Sequence, residues 1–291
     1  MGLKPTYKIE QGPKPPGIHK YASLCEKEWA KLLVSHPKEK EVQKFLEKNP
    51  ALVPGAWTPG PKSGHYPLYY ALISRPSLRG FPSKEPDFLW ISMHSSVWYP
   101  TLIEIEKPDK KIFNSSDVPN QEFTQARNQL AQWRTWFSNP VNVQSFIQAY
   151  EIPNDILQSR QMKLHMILIY GRRSEFDNKP NLARQRASLL SGSDEELMSF
   201  DRLFFDRNLE DAITVKLGSN ARYRAISVPP TFKLGPNLAK RLCYIDGIDM
   251  AIENATMISS KRKTFLKRRI QYWRDWAGEE NKGWIKSGDW E

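Results

Sequence analysis

Residues 86–106 read PDFLWISMHSSVWYPTLIEIE, and this stretch decides the fold. Phe88 to Ile91 and Val97 to Ile105 are apolar runs rich in aromatic and β-branched residues, with 93–96 as a polar connection, so they predict a β-hairpin. Side chains alternate faces along a strand, which places Glu104 and Glu106 together and sends Ile103, Ile105 and Lys107 the other way. The two glutamate Cα atoms then sit about 6.6 Å apart. Asp87 opens the first strand of the same hairpin and reaches the same patch. Three converging carboxylates repel one another and push a pKa up unless a cation intervenes. Mg²⁺ or Mn²⁺ suits an all-oxygen set of this kind, and in phosphodiester hydrolysis such an ion polarises the phosphoryl oxygen. The plain alternative is that Glu104 and Glu106 form the solvated side of a half-buried strand.

Elements on either side of the hairpin build an α/β order. Helices are expected over 26–33 and 38–48. In the second, Pro37 suits the first turn, and Val42, Phe45 and Leu46 form an apolar stripe flanked by Glu41, Lys44 and Glu47. Asn49-Pro50 ends it. Residues 51–84 are proline- and glycine-rich and read as loop or short strands. Asn120 caps a helix over Gln121–Phe137, with Phe123, Ala126, Leu130, Trp133 and Phe137 on one stripe and Gln125, Gln129 and Gln132 on the next. Residues 164–170, LHMILIY, read as a buried strand ended by Gly171. From Ile248 onward the pattern is helical again, with Ser259-Ser260 capping a last helix.

Composition narrows the function. The formal charge is 43 minus 32, or +11, which favours an anionic partner such as nucleic acid. Residues 261–274 alone contribute +7 of that +11, since Lys261, Arg262, Lys263, Lys267, Arg268, Arg269 and Arg274 meet no acid there. This helix is read either as a DNA-backbone surface, with Lys267, Arg268 and Arg269 as its contacts, or as a solvated or subunit-pairing face. Trp273 and Trp276 read as core or as an oligomer contact. Arg172 and Arg173, after the 164–170 strand, either grip phosphate or face solvent. Cys25 and Cys243 lack the spacing of a disulfide framework or zinc site. The five histidines show no ligand pairing, and His165 reads as a satisfied core residue. A Gly-rich phosphate loop is missing, so no nucleotide cofactor is expected. Neither a secretory h-region nor a membrane-length apolar run is present, so a cytoplasmic protein is expected.

Asp87, Glu104-x-Glu106 and Gln129, in a helix–strands–helix–strand order, resemble the PD-(D/E)xK nuclease superfamily. More closely, FLEKNPALVP (45–54), EPDFLW (85–90), LIEIEKP (102–108), ARNQLAQW (126–133), GRR (171–173) and SFDRL (199–203) resemble, in order, segments of the Shedu immune nuclease domain of antiphage defence proteins. The resemblance implies a restriction-endonuclease-like α/β core, a mixed sheet flanked by helices, over 22–205. A flexible tail (1–21) precedes it and a helical C-terminal extension (206–291) follows. It also implies a metal-dependent DNA endonuclease of bacterial antiphage defence, working as a homo-oligomer with Mg²⁺ or Mn²⁺. On this likeness Glu41 (or Glu47), Asp87, Glu104 and Glu106 hold the metal, and Gln129 positions water or phosphate. Glu106 stands where most superfamily members carry the catalytic lysine. That departure keeps a second reading open: a catalytically inactive nuclease-fold module that binds DNA or another partner.

Overall fold

The computed structural model describes residues 7–57, 66–80, 85–189, 192–218, 222–278 and 291. The first six residues of the expected tail, and residues 58–65 and 81–84 of the expected loop region, lie outside them.

The chain begins with helices α1 (Ile18–Val34) and α2 (Glu39–Lys48), then strands β1 (Tyr66–Pro67), β2 (Ala71–Ser74), β3 (Phe88–Met93) and β4 (Val97–Ile105). Next come α3 (Gln121–Phe137), α4 (Pro140–Ala149), α5 (Asn154–Ser159), β5 (Gln161–Met162), β6 (His165–Ile169), α6 (Pro180–Ala187) and β7 (Glu195–Met198). The last third supplies β8 (Ile213–Leu217), β9 (Tyr223–Ser227), α7 (Pro236–Leu242), β10 (Ile245–Asp246), α8 (Ile248–Asn254) and α9 (Ser260–Gly278). One mixed sheet runs β10-β9-β8-β2-β3-β4-β6-β7, with β1 on β3 and β5 on β4.

The predicted hairpin forms: β3 and β4 pair antiparallel with Leu89 opposite Leu102, and β4 pairs parallel with β6. Pro100, which has no N–H to donate, falls between the β5 and β6 pairings. Helices cover both faces, so both sides of these strands are buried and their sequences read as continuous apolar runs. Leu89, Ile91, Leu102, Met166 and Leu168 pack toward α3 and α4. Phe88, Trp90, Ile103, Ile105 and Ile167 pack toward α1, α2 and the 200–212 segment. Helix α3 keeps its predicted bounds and stripe, and Asn120 Oδ1 accepts the Gln121 N–H at 2.9 Å. Each large side chain buried this way contributes about 1.5–3 kcal/mol.

Two differences from the sequence reading concern the ends. Residues 206–291 are not a purely helical extension, because β8 pairs parallel with β2 and carries β9 and β10 into the same sheet. Residues 18–21, assigned to the tail, are the first turn of α1. The described part of the rest lies on α9: Tyr7 is buried against Trp273 and Trp276, and Glu10 pairs with Arg268. Among the described residues no helix is long and apolar enough to cross a membrane.

Candidate active site

Strand alternation places Asp87, Glu104 and Glu106 on the α3 side of the sheet, at the end of β4 that leads into the α3 connection. Glu104 and Glu106 are 5% and 7% exposed, so they are not the wet side of a half-buried strand. Both line a cleft of about 380 Å³ with Asp87, Glu39, Arg75 and Lys110. Burying carboxylates is costly unless each has partners, and here each has one. The Ile105 N–H donates to Asp87 Oδ2 at 2.9 Å. Gln129 Nε2 donates to Glu104 Oε1 at 2.9 Å, which puts the Gln stripe of α3 where the resemblance implied. Lys110 Nζ donates to Glu106 Oε2 at 2.7 Å and stands 3.4 Å from Glu122 Oε1.

Burial raises the Asp87 carboxyl to about 7, and the charges of Glu39 and Glu106 push the same way against the Ile105 hydrogen bond and Arg75. Burial opposes the charge of Lys110, but Glu106 and Glu122 outweigh it and hold the ammonium above its ordinary range.

On α2, neither Glu41 nor Glu47 lines the cleft. Glu41 is exposed and turns back on its own helix start, accepting the Lys38 N–H at 2.7 Å. Glu47 accepts the Ser74 hydroxyl at 2.5 Å. Glu39 lines the cleft instead, and Gln43, one turn on, donates to the Asp87 carbonyl at 3.3 Å. Lys107 does not line the cleft, in keeping with strand alternation.

Lys110 sits in a loop that no local pattern marks, and two distant residues hold that loop in place. Gly171 has φ +66°, and a Cβ there would meet the Lys110 carbonyl oxygen at 2.8 Å. Both Glu175 carboxylate oxygens accept backbone N–H groups of the loop, from Ile112 and Phe113, at 2.9 Å each. The GRRSE segment after β6 therefore sets the position of the cleft's lysine.

Other expected sites resolve differently. Arg172 lies on Asp201 and the Leu33 carbonyl, and Arg173 has an exposed side chain. The basic helix is not a free cationic face. Arg269 is 4% exposed, donates to the Lys8 and Glu291 carbonyls and stacks on Tyr272. Lys267 pairs with Glu253 and Arg268 with Glu10. Trp273 and Trp276 are core. His165 is buried, which lowers it to about 4, but its Nε2 has no hydrogen-bond partner among the described residues. Cys25 and Cys243 are free thiols.

The donor set suits a hard divalent cation in type, being all oxygen, and a cation would relieve the raised Asp87 carboxyl. The buried Gln129 Oε1, without a hydrogen-bond partner among the described residues, offers a further oxygen beside Glu104. Among the described residues, however, no three His, Cys, Asp or Glu side chains form a group closed enough to hold a metal ion by themselves. Water and phosphate oxygens would have to complete the coordination, as they commonly do for Mg²⁺.

Compared with known families, residues 36–204 match the model described as Shedu protein SduA, C-terminal, which spans more than half of the chain. No curated protein matches.

Proposed function

This chain belongs to the Shedu family, and from that premise we propose that it is a metal-dependent DNA endonuclease on a restriction-endonuclease-like core. Family membership suggests a role in antiphage defence. The observation that carries the reading is the burial of Glu104 and Glu106, with Asp87, around one cleft that also holds a lysine.

Asp87, Glu104 and Glu106 would hold Mg²⁺ or Mn²⁺, which supplies Lewis-acid polarisation of the scissile phosphoryl group. The protein's own groups do the rest. The Ile105 N–H fixes Asp87, and the Gln129 amide fixes Glu104. Preorganised ligands of this kind need no rearrangement as charge develops. Lys110, charged and anchored on Glu106, faces the growing negative charge on the phosphate. Assembly as a homo-oligomer is part of the same proposal.

Digestion of plasmid and linear DNA with Mg²⁺, with Mn²⁺ and with EDTA tests this reading. Cutting that needs the metal and disappears in Asp87→Asn is expected. A second reading, a DNA-binding module without catalysis, has two points in its favour: Glu106 stands where the resemblance sets a lysine, and no closed three-acid group forms among the described residues. It predicts binding with no cutting under any metal.

A further inference from the structure

A groove of about 1100 Å³ adjoins the carboxylate cleft and shares Lys110 and Glu122 with it. One wall is the loop between β4 and α3, and the other is the segment that follows β6. Both walls are fixed relative to each other, because Glu175 on the second holds the backbone of the first.

The charges along this groove are of two kinds. Of its four acids, Asp177 is exposed and has no ion pair among the described residues, and three are engaged: Asp109 with His36 at 3.0 Å, Glu122 with Lys110, and Glu175 with two backbone N–H groups. Three of its cations are not. Lys107, Lys111 and Lys179 are exposed, and none has an ion pair among the described residues. On α9, Arg262, Lys267 and Arg268 are held by internal partners, while Lys261 is exposed. Unengaged positive charge therefore lines the groove directly beside the cleft.

We infer that this groove carries the sugar-phosphate backbone of DNA into the carboxylate cleft, with Lys107, Lys111 and Lys179 as its phosphate contacts and Lys110 at the junction. The inference rests on the nuclease reading and adds the path the substrate takes. Ammonium groups on flexible stems suit phosphate contact that carries no base readout, so binding through this groove is indifferent to sequence.

The test measures binding of the full chain to a fluorescein-labelled duplex of about 30 base pairs in EDTA, from 50 to 200 mM NaCl. The triple variant Lys107→Gln, Lys111→Gln, Lys179→Gln should flatten the slope of log K against log[salt] by up to ~2.7, at ~0.9 for each lost contact. The wild type's advantage then shrinks roughly 40-fold across that salt range. Lys267→Gln on α9 should leave the slope unchanged. If the wild type binds and the triple variant keeps its slope, or if Lys267→Gln flattens it instead, the groove is not the path while the nuclease reading stands. If the wild type binds no DNA at all, the nuclease reading falls and the inference with it.

Discussion

Lys110 Nζ lies 2.7 Å from Glu106 Oε2, so the residue occupying the lysine position of the motif is itself paired to a lysine from the following loop. Glu106 adds a negative charge to the strand while Lys110 brings the cation from the loop, so the cleft's lysine comes from outside the strand. The Lys110 loop reaches this place because Gly171 tolerates a positive φ under it and Glu175 clamps its backbone.

On the proposed reading, Lys110 and not Lys107 is the charge stabiliser. Lys110→Met should lower the cleavage rate at saturating DNA by about 10²–10³-fold, the range for losing one preorganised charge stabiliser. Lys107→Ala should leave that rate near wild type, and Glu106→Gln should be severely impaired, since it removes both a ligand and the anchor of Lys110. Single-turnover cleavage of the three variants decides it. A dead Lys107→Ala beside an active Lys110→Met would place the wrong lysine in the cleft.

The second expectation concerns pH. The Asp87 carboxyl is raised from its ordinary range to about 7 in the fold, so the folded protein binds a proton that the unfolded chain has released. Its effect on stability is absent below about pH 4, where both states are protonated. Stability is then lost as pH rises to about 7, and the loss is constant above that. In EDTA, Asp87→Asn should therefore raise Tm at pH 8 and leave it unchanged near pH 4, by a few kcal/mol at most, at ~1.4 kcal/mol per decade. Adding Mg²⁺ should stabilise the wild type near neutral pH and do nothing for the variant. Equal Tm values across pH 4–8 would mean that Asp87 is not strained by its neighbours.

The third expectation separates the acids of α2. Glu39→Gln should weaken cleavage, because Glu39 lines the cleft and adds to the field on Asp87. Glu41→Gln should cut normally and cost well under about 1 kcal/mol, since a Gln oxygen at this position still accepts the Lys38 N–H, read by thermal melting. Loss of cutting in Glu41→Gln with full activity in Glu39→Gln would restore the assignment made from the sequence.

The α2 case shows what the sequence held and what it hid. Glu39 occupies one stripe with Val42, Gln43 and Leu46, at i, i+3, i+4 and i+7, whereas Glu41 lies off it. An acid in register with that stripe is a readable signal, whereas the choice of Glu41 rests on the family likeness alone. The hairpin and α3 were legible because alternation, helical period and the Asn120 cap are all local, and they fix Asp87, Glu104 and Gln129 without further information. Lys110 was not legible, since its position depends on Gly171 and Glu175, more than 60 residues away. The strands β8 to β10 are short, and their place beside β2 is a long-range pairing that no local pattern encodes.

The same stripe rule governs the last expectation, on α9. Arg262 and Arg269 fall on its apolar stripe with Phe265, Leu266 and Trp273, so a count of positive charges misreads them as surface. The Arg262 side chain is 2% exposed and forks onto both Glu291 carboxylate oxygens, at 2.9 and 2.7 Å, and onto the Phe232 carbonyl at 2.6 Å. Removing one partner of such a pair leaves a buried charge uncompensated, which costs about 3–5 kcal/mol. Arg262→Met should therefore lower Tm by roughly 10 °C, at ~2–4 °C per kcal/mol for a chain of this size. Lys267→Gln, which breaks a half-exposed pair with Glu253, should cost under about 1 kcal/mol. Calorimetry separates the two, and duplex affinity should track neither at temperatures where both variants stay folded. A Tm unchanged in Arg262→Met, coupled with lost DNA binding, would return α9 to the role of a nucleic-acid surface.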